Sequence, residues 1–336
     1  MQISLYVLCM RVEIVFQALA DTSRLRILRL LDEMELAVGE LAQVLGQSQP
    51  RVSRHVAILC DTGFAERRRE GSWVFIRRAS PSNSQSLTIA TTRLLDAAER
   101  SDAEFGRACE QDRRRLEEIC AAREEHASAY FAAHAEHWDE LRQMHSPDQL
   151  VERALIDALQ GKPLGRVLDI GTGTGRMAEL FAASAESVVA LDKSLDMLRL
   201  ARAKLQHLPP DRLELVQGDF TALPFPAFSF DTVLLHQVLH FARDPASALA
   251  EAARVTRPGG RIAVVDFAAH DRDELRERHA HARLGFADNQ IAEALGKVGC
   301  DTVAPIALTG TALVVKIWIA TKSAAPLSAA SRQVSA

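Results

Sequence analysis

The sequence predicts a multi-domain α/β chain, and three observations carry that reading. Residues of about 13–80 alternate short helical patterns with turn signals and end in a basic, strand-like stretch. Residues of about 82–145 are rich in Ala, Arg and Glu, almost lack Pro and Gly, and predict continuous helix. From about 146 to 322 short apolar strands alternate with helices, the pattern of a parallel sheet covered by helices. A length of 336 residues suits two compact domains. Residues 323–336, small and polar without periodicity, predict a disordered tail.

Composition narrows the function classes. With 48% hydrophobic and 25% charged residues the chain is globular, so fibrous repeats and wholesale disorder are excluded. The formal net charge is −4, so any nucleic-acid binding must come from a local patch. Cys9, Cys60, Cys109, Cys120 and Cys300 are odd in number and form no C-x-x-C pair. That excludes a disulfide framework or zinc ribbon and fits a reducing cytoplasm. The apolar run Ile3–Met10 has no basic residues before it and is broken by Arg11 and Glu13, so residues 1–12 read as a ragged lead-in to a helix. No stretch approaches 18 uninterrupted apolar residues, so no membrane span is expected.

The first part is built from capped helices. Asp21-Thr22-Ser23 offers capping side chains before RLRILRLL, where Leu25, Leu28 and Leu31 recur at helical spacing. Val38–Leu45 predicts a short helix stopped by Gly46. Ser48 then caps a second helix with Pro50 in its first turn. Two short helices around a tight turn make a helix-turn-helix. The second carries Gln49, Arg51, Ser53, Arg54 and His55 near its start, and sends Val52, Val56 and Leu59 toward the core. Such polar residues at a helix start suit base edges and phosphates in a major groove. Phe64–Arg69 and Trp73–Arg78 predict two strands around the turn Glu70-Gly71-Ser72, with Arg67, Arg68, Arg69 and Arg77 on the hairpin. Residues 51–78 hold seven Arg against three acidic residues, a local +4 inside an acidic protein, which is the footprint DNA requires.

ALADTSRLRILRLL, ELAQVLGQSQPRVSRHVAILCDTGF and ERRREGSWVFIR together resemble the ArsR family of dimeric winged-helix repressors over about 65 residues. The resemblance implies a homodimer on double-stranded operator DNA. It also raises metal sensing, but the places of the family's cysteine pair look like Ala37 and Gly39, which offer no metal-ligating side chain. Cys60 stands alone on the recognition helix, so no metal is expected.

In the middle part, Leu94, Phe105 and Leu116 are spaced by eleven, as are Leu87, Ala98, Cys109 and Cys120. An eleven-residue repeat gives a nearly straight seam, which predicts one long helix that pairs across a dimer, crosses between domains, or packs on its own chain. Tyr130–Leu141 adds an aromatic helix; its His134 and His137 lie three apart without a nearby ligand cluster, so packing outweighs metal binding.

The second domain opens with the strand Arg166–Ile170, the loop Gly171-Thr172-Gly173-Thr174-Gly175 and a helix, an arrangement that lets a ligand approach a helix amino terminus. Arg176 occupies the place of the third glycine of a dinucleotide fingerprint, which disfavours that class. The next strand, Ser187–Asp192, ends in a carboxylate 17 residues past Gly175, well placed for two ribose hydroxyls. Leu213–Gln217, Phe230–Leu235 and Arg261–Phe267 follow as strands, and Thr302–Ile306 with Ala312–Ile319 could close the sheet.

VLDIGTGTGRM, VVALDKSLDML, GDF, FDTVLLHQVLHF and RVTRPGGRIAVVDF, in that order, resemble class I S-adenosylmethionine-dependent methyltransferases over about 150 residues. The resemblance implies a Rossmann-like, mostly parallel seven-stranded sheet. It places Asp169, Gly171, Gly173 and Gly175 at the methionine part, Asp192 at the ribose, and Asp219 with Phe220 at the adenine, and it counts Lys193 among the cofactor-binding residues. His236 and Gln237, ending the fourth strand, face the ligand or the methyl acceptor and are the catalytic candidates; His240, His270, His279 and His281 are further bases by residue type. His279 and His281 fall two apart in a predicted helix, facing apart. No N-P-P-Y/F motif follows the fourth strand, which disfavours methylation of DNA bases or protein amides.

Two functions follow. The favoured expectation is a DNA-binding transcriptional regulator whose methyltransferase-like domain binds S-adenosylmethionine or S-adenosylhomocysteine and shifts operator affinity, as in ArsR-like regulators of the methionine cycle that the chain resembles. The alternative is an active methyltransferase on a small molecule, with a winged helix that regulates its own gene.

Overall fold

The computed structural model describes residues 12–70, 73–79, 85–138, 148–209, 211–309 and 312–324. The wing turn Gly71-Ser72, the start and end of the expected helical middle, the lead-in 1–11 and the tail from 325 lie outside the described residues. The chain divides into two compact units, Met1–Glu125 and His126–Ala336.

In the first unit, helices α1 (Val12–Leu19), α2 (Thr22–Glu33), α3 (Val38–Leu45) and α4 (Gln49–Asp61) alternate with strands β1 (Leu36–Ala37), β2 (Ala65–Glu70) and β3 (Trp73–Arg78). Asp21 caps α2 by accepting the Arg24 N–H at 3.0 Å. Gly46 ends α3 in the left-handed conformation, as the turn requires. Ser48 takes the N-cap position of α4, although its side chain makes no capping bond. β3 pairs antiparallel with both β2 and β1, so the wing is a three-stranded sheet. Val52, Val56 and Leu59 of α4 are buried with Leu28, Leu41 and Ile76 in one core. Leu59→Ala there would cost about 2–5 kcal/mol.

The middle segment departs from the expected single helix. α5 (Gln85–Ser101) stops at Asp102, whose carboxylate accepts the N–H groups of Glu104 and Phe105 and starts α6 (Ala103–His134). An aspartate that caps competes with helix continuation, and the spacing rule carried no such information. The eleven-residue seam is spent inside the chain: Phe105, Cys109 and Leu116 are buried in the winged-helix core, while Leu94 is 54% exposed and its neighbour Leu95 is buried instead. Arg26 grips Asp112, and Arg29 grips Glu99 and Asp96, so α2 holds both helices. The aromatic stretch is α6 only as far as His134, followed by a 3₁₀ turn over Ala135–His137.

The second unit begins at the end of α6 and adds α7 (Asp148–Ala158), β4 (Arg166–Ile170), α8 (Arg176–Phe181), β5 (Ser187–Asp192), α9 (Leu195–Lys204), β6 (Leu213–Gln217) and β7 (Phe230–His236). Then come α10 (Pro245–Val255), β8 (Thr256–Phe267), α11 (Glu274–Arg278), α12 (Asp288–Lys297), β9 (Cys300–Thr302), β10 (Ile306–Leu308) and β11 (Val315–Lys322). The sheet order is β10-β11-β8-β7-β4-β5-β6, with β9 also on β11. Strands β4 to β8 run parallel, and β9, β10 and β11 pair antiparallel. The sheet is therefore mixed and eight-stranded rather than seven-stranded, because the expected strand at 302–306 is two short strands either side of an irregular stretch. Val167, Leu168, Val233, Leu234, Ile262 and Ala263 are fully buried, and alternate residues feed the two cores on either face of the sheet. The order reverses between β4 and β7, which places a crevice at the carboxyl ends of those strands.

Candidate functional site

The glycine loop follows β4 at that crevice. Gly171 and Gly173 have φ of 69° and 56°, the left-handed region glycine enters freely. A Cβ on Gly171 would run into the side chain of Val238, so the chain after β7 lies directly against the loop. Asp169, buried beneath, accepts the Thr172 hydroxyl at 2.6 Å and pins the loop's first turn.

Asp192 ends β5. One oxygen accepts the Gly173 N–H at 2.8 Å, the other the Ser194 N–H at 2.9 Å. Burial pushes its carboxyl above the usual range, against the backbone N–H groups of Ser194, Gly173 and Lys193 that favour the anion. A carboxylate oxygen accepts two hydrogen bonds, so each oxygen has room for one hydroxyl of a vicinal diol. Lys193 reaches Asp219 at 2.8 Å. Burial of Asp219 is outweighed by Lys193 and by the amide and hydroxyl of Thr221, which hold its carboxyl below the usual range. Phe220 is half-buried against the core beside it. The structure thus gathers Asp169, Gly171, Gly173, Gly175, Asp192, Lys193 and Asp219 around adjoining strand ends, and their donors and acceptors fit an adenosyl ligand with a ribose.

His236 and Gln237 lie where β7 ends. Both are buried, and Gln237 has φ of 50°, a strained value for a residue with a side chain. Its N–H donates to the Val265 carbonyl at 2.7 Å, which fixes the sharp turn. Just beyond, His240 and Phe241 stand on a 3₁₀ turn. The sequence reading missed Trp138: a Cβ on Gly173 would lie 3.4 Å from its Nε1, so the indole covers the loop. Phe131 meets Trp138 and Phe241 edge-on at 5.3 and 4.9 Å between ring centres. A tryptophan in an aromatic run just before a nucleotide-type sheet was the available signal.

The other histidines resolve locally. α11 ends at Arg278, so the predicted helix through 279 and 281 is absent. His279 Nδ1 lies 2.9 Å from the Tyr130 hydroxyl, and burial, with His134 and Arg278 nearby, lowers its pKa. His134 bonds the Tyr130 carbonyl through Nδ1. Among the described residues no group of three or more His, Cys, Asp or Glu could hold a metal ion.

In the winged helix, Gln49, Arg51, Ser53 and Arg54 are exposed on α4. Gln49, Ser53, Arg67 and Trp73 line one groove between α3, α4 and the wing, of about 560 Å³. The remaining arginines differ. Arg68 is bonded to Glu35 and Glu70 and lies over Phe75. Arg77 bonds Glu66, while Arg69 is exposed. His55 is half-buried, 3.6 Å from Asp21. Burial lowers its pKa, opposed by Asp21 and aided by Arg24 and Arg51.

Comparison with known proteins agrees with both halves. Residues 21–67 match the family described as bacterial regulatory protein, arsR family, and residues 168–264 match a methyltransferase domain. The demethylmenaquinone methyltransferase of Renibacterium salmoninarum is 43% identical over 115 residues, 34% of this chain and 46% of that protein. The ubiquinone/menaquinone biosynthesis C-methyltransferase UbiE of Hahella chejuensis is 35% identical over 151 residues, 43% of this chain and 61% of that protein. The chain spans about half the length of the curated relatives it matches. A methyltransferase solved in complex with the Haloferax volcanii Trm112 activator shares the fold, with 19% identity, a TM-score of 0.50, and coverage of 57% of this chain and 97% of that one. Among the described residues no helix is long and apolar enough to cross a membrane.

Proposed function

We infer, from a chain that joins an ArsR-family helix-turn-helix to a class I methyltransferase domain, that the protein is an S-adenosylmethionine-dependent methyltransferase of a small molecule, with a winged helix that binds the operator of its own gene as a homodimer. The observation that carries the enzymatic half is the Asp192 carboxylate, half-buried and held ready for a diol by Gly173 and Ser194, beside a segment 35–43% identical to curated methyltransferases. Bound there, the donor supplies an electrophilic methyl group on a sulfonium. Asp169 and the glycine loop hold the amino-acid part, Asp192 and Lys193 the ribose, and Asp219 with Phe220 the adenine. Alignment of an acceptor against such a group supplies much of the acceleration. The strained turn at Gln237 and the aromatic rings of Trp138 and Phe241 set where that acceptor lies. The relatives' names point to a quinone-type ring as the first acceptor to try.

The test pairs binding with turnover. Calorimetry with S-adenosylmethionine and S-adenosylhomocysteine should show one site per chain, and 1,4-naphthoquinol should gain 14 mass units in the presence of the donor. Binding without transfer to that probe or to any compound in a cell extract would remove the enzymatic half.

A second reading keeps the domain as a sensor, in which ligand shifts operator affinity and the regulated genes belong to the methionine cycle. The observation in its favour is that one helix, α6, supplies Phe105 and Leu116 to the winged-helix core and Tyr130 and Phe131 to the aromatic cluster of the second unit. Ligand would then have to bind the DNA-competent and incompetent states with different affinity.

A further inference from the structure

Asp266, at the carboxyl end of β8, has no solvent exposure at all. Both of its oxygens meet His240: Oδ1 lies 2.8 Å from His240 Nδ1, and Oδ2 accepts the His240 backbone N–H at 3.1 Å. Oδ1 also accepts the Phe267 N–H at 2.8 Å. A buried carboxylate is costly, and a structure that keeps one to orient a single imidazole fixes both its ring plane and its tautomer. When Nδ1 directs its proton at Asp266, Nε2 is left with the lone pair that a base needs. The ring sits four residues past the end of β7, at the same edge of the sheet as the glycine loop. Contacts join the two: Gly173 lies under Trp138, Trp138 is 6.0 Å from Phe241, and Phe241 is 4.1 Å from His240. Asp266 from β8 bonds the imidazole, and the rings of Phe241, His281 and Phe267 pack on it with centres 4.1, 4.2 and 5.1 Å away, while the Arg283 backbone N–H donates to the His240 carbonyl.

We propose that His240, oriented by Asp266, is the general base of this domain, and that the methyl acceptor it serves is a ring-bearing phenol or hydroquinol that stacks against Phe131, Trp138 and Phe241. The proposal rests on the methyltransferase reading above. An imidazole base is of use where the acceptor becomes nucleophilic only on losing a proton, and a phenolic O–H is such a group. The acceptor O–H proton passes to Nε2. The electron pair it leaves, on the oxygen or delocalised to the ring carbon beside it, forms the new bond to the methyl carbon. The carbon–sulfur bond of S-adenosylmethionine breaks with its pair going to sulfur, giving S-adenosylhomocysteine. One proton per turnover then leaves the imidazolium for water. Half-buried aromatic faces suit a flat acceptor through offset or edge-on contacts.

The test uses the full-length protein saturated with S-adenosylhomocysteine, with 1,4-naphthoquinol kept reduced as the probe. Nitrogen-15 spectra of the His240 ring should show Nδ1 protonated and Nε2 bare, and adding naphthoquinol should move the Nε2 resonance. In Asp266→Asn the tautomers should mix. His240→Ala should lose about 10²–10⁴-fold in kcat with KM and S-adenosylhomocysteine affinity nearly unchanged, and exogenous imidazole should restore part of the loss. A resting tautomer with Nε2 protonated, an Nε2 resonance that ignores the probe, or His240→Ala turning over at the wild-type rate would each overturn the proposal. If S-adenosylhomocysteine itself fails to bind, it is the methyltransferase reading that falls; the resting tautomer, read in the free protein, still decides whether Asp266 orients His240 as stated.

Discussion

The two ends of this chain treat their charges in opposite ways. In the methyltransferase-like half, carboxylates are held in place by short bonds: Asp169 is buried beneath the glycine loop, and half-buried Asp192 sits among backbone N–H groups, with desolvation raising its carboxyl pKa. In the winged helix the arginines fall into two sorts. Arg51 and Arg54 stand exposed at the start of α4, whereas Arg68 is folded down onto Glu35, Glu70 and the Phe75 ring. A site for one small ligand needs a few preorganised groups in low dielectric. A surface for a polyanion needs exposed charge, and its buried arginines serve the fold.

The largest effect expected from this contrast is at Asp192. Asp192→Asn should weaken S-adenosylmethionine binding by more than about 100-fold, since two hydrogen bonds from ribose to a charged acceptor are each worth about 1.5–3 kcal/mol. Operator affinity should not change. Because the native pKa is raised, the ionised carboxylate costs the apo fold stability as pH rises through that pKa, and the cost is present at neutral pH. The Asn variant carries no titrating group there, so it should lose less melting temperature than wild type between acid and neutral pH, and an equal loss in both proteins would contradict the raised pKa.

Next comes the DNA face. Arg51→Ala and Arg54→Ala together should weaken binding to a fragment from upstream of the gene by about 10–100-fold and lower the salt slope by about 2, without changing ligand affinity. Equal loss of both activities would erase the contrast between the halves. A smaller change in DNA binding is expected at Arg68. Arg68→Ala should lower the melting temperature, because its ion pairs with Glu35 and the buried Glu70 and its contact with the Phe75 ring are lost, yet leave the salt slope of the folded protein where it was. The smallest effect belongs to His55. Its folded pKa lies below the unfolded value, so its share of stability is present above about pH 6.5 and is lost as pH falls through the folded pKa. His55→Gln should flatten that acid decline in a pH series of melts.

The sequence made most of the fold readable where local chemistry and position coincide. Glycine spacing after an apolar strand, a carboxylate ending the next strand, and a Gly-stopped helix followed by Pro50 are signals within a few residues of each other. What it hid depends on pairing across the chain. The capping role of Asp102 emerges only where α5 and α6 fold against α2, so the eleven-residue seam suggested one helix in place of two. Arg68 and Arg69 are neighbours in sequence, and only the register of β2 on β3 sends one over Phe75 and leaves the other exposed. His236 and Gln237 drew notice because they end a strand, whereas His240 waits on Asp266, 26 residues later. Trp138 lay in a run read as an aromatic helix through Leu141, whereas α6 ends at His134 and the indole lies against Gly173.

The most direct measurement supplies the purified chain with S-adenosylmethionine bearing a trideuterated methyl group and a small-molecule extract, then follows both products by mass spectrometry. S-adenosylhomocysteine should accumulate in step with one compound heavier by 17 mass units, and the Asp192→Asn protein should form neither. Tight occupancy by the donor with no S-adenosylhomocysteine formed would contradict methyl transfer and leave the domain as a receptor.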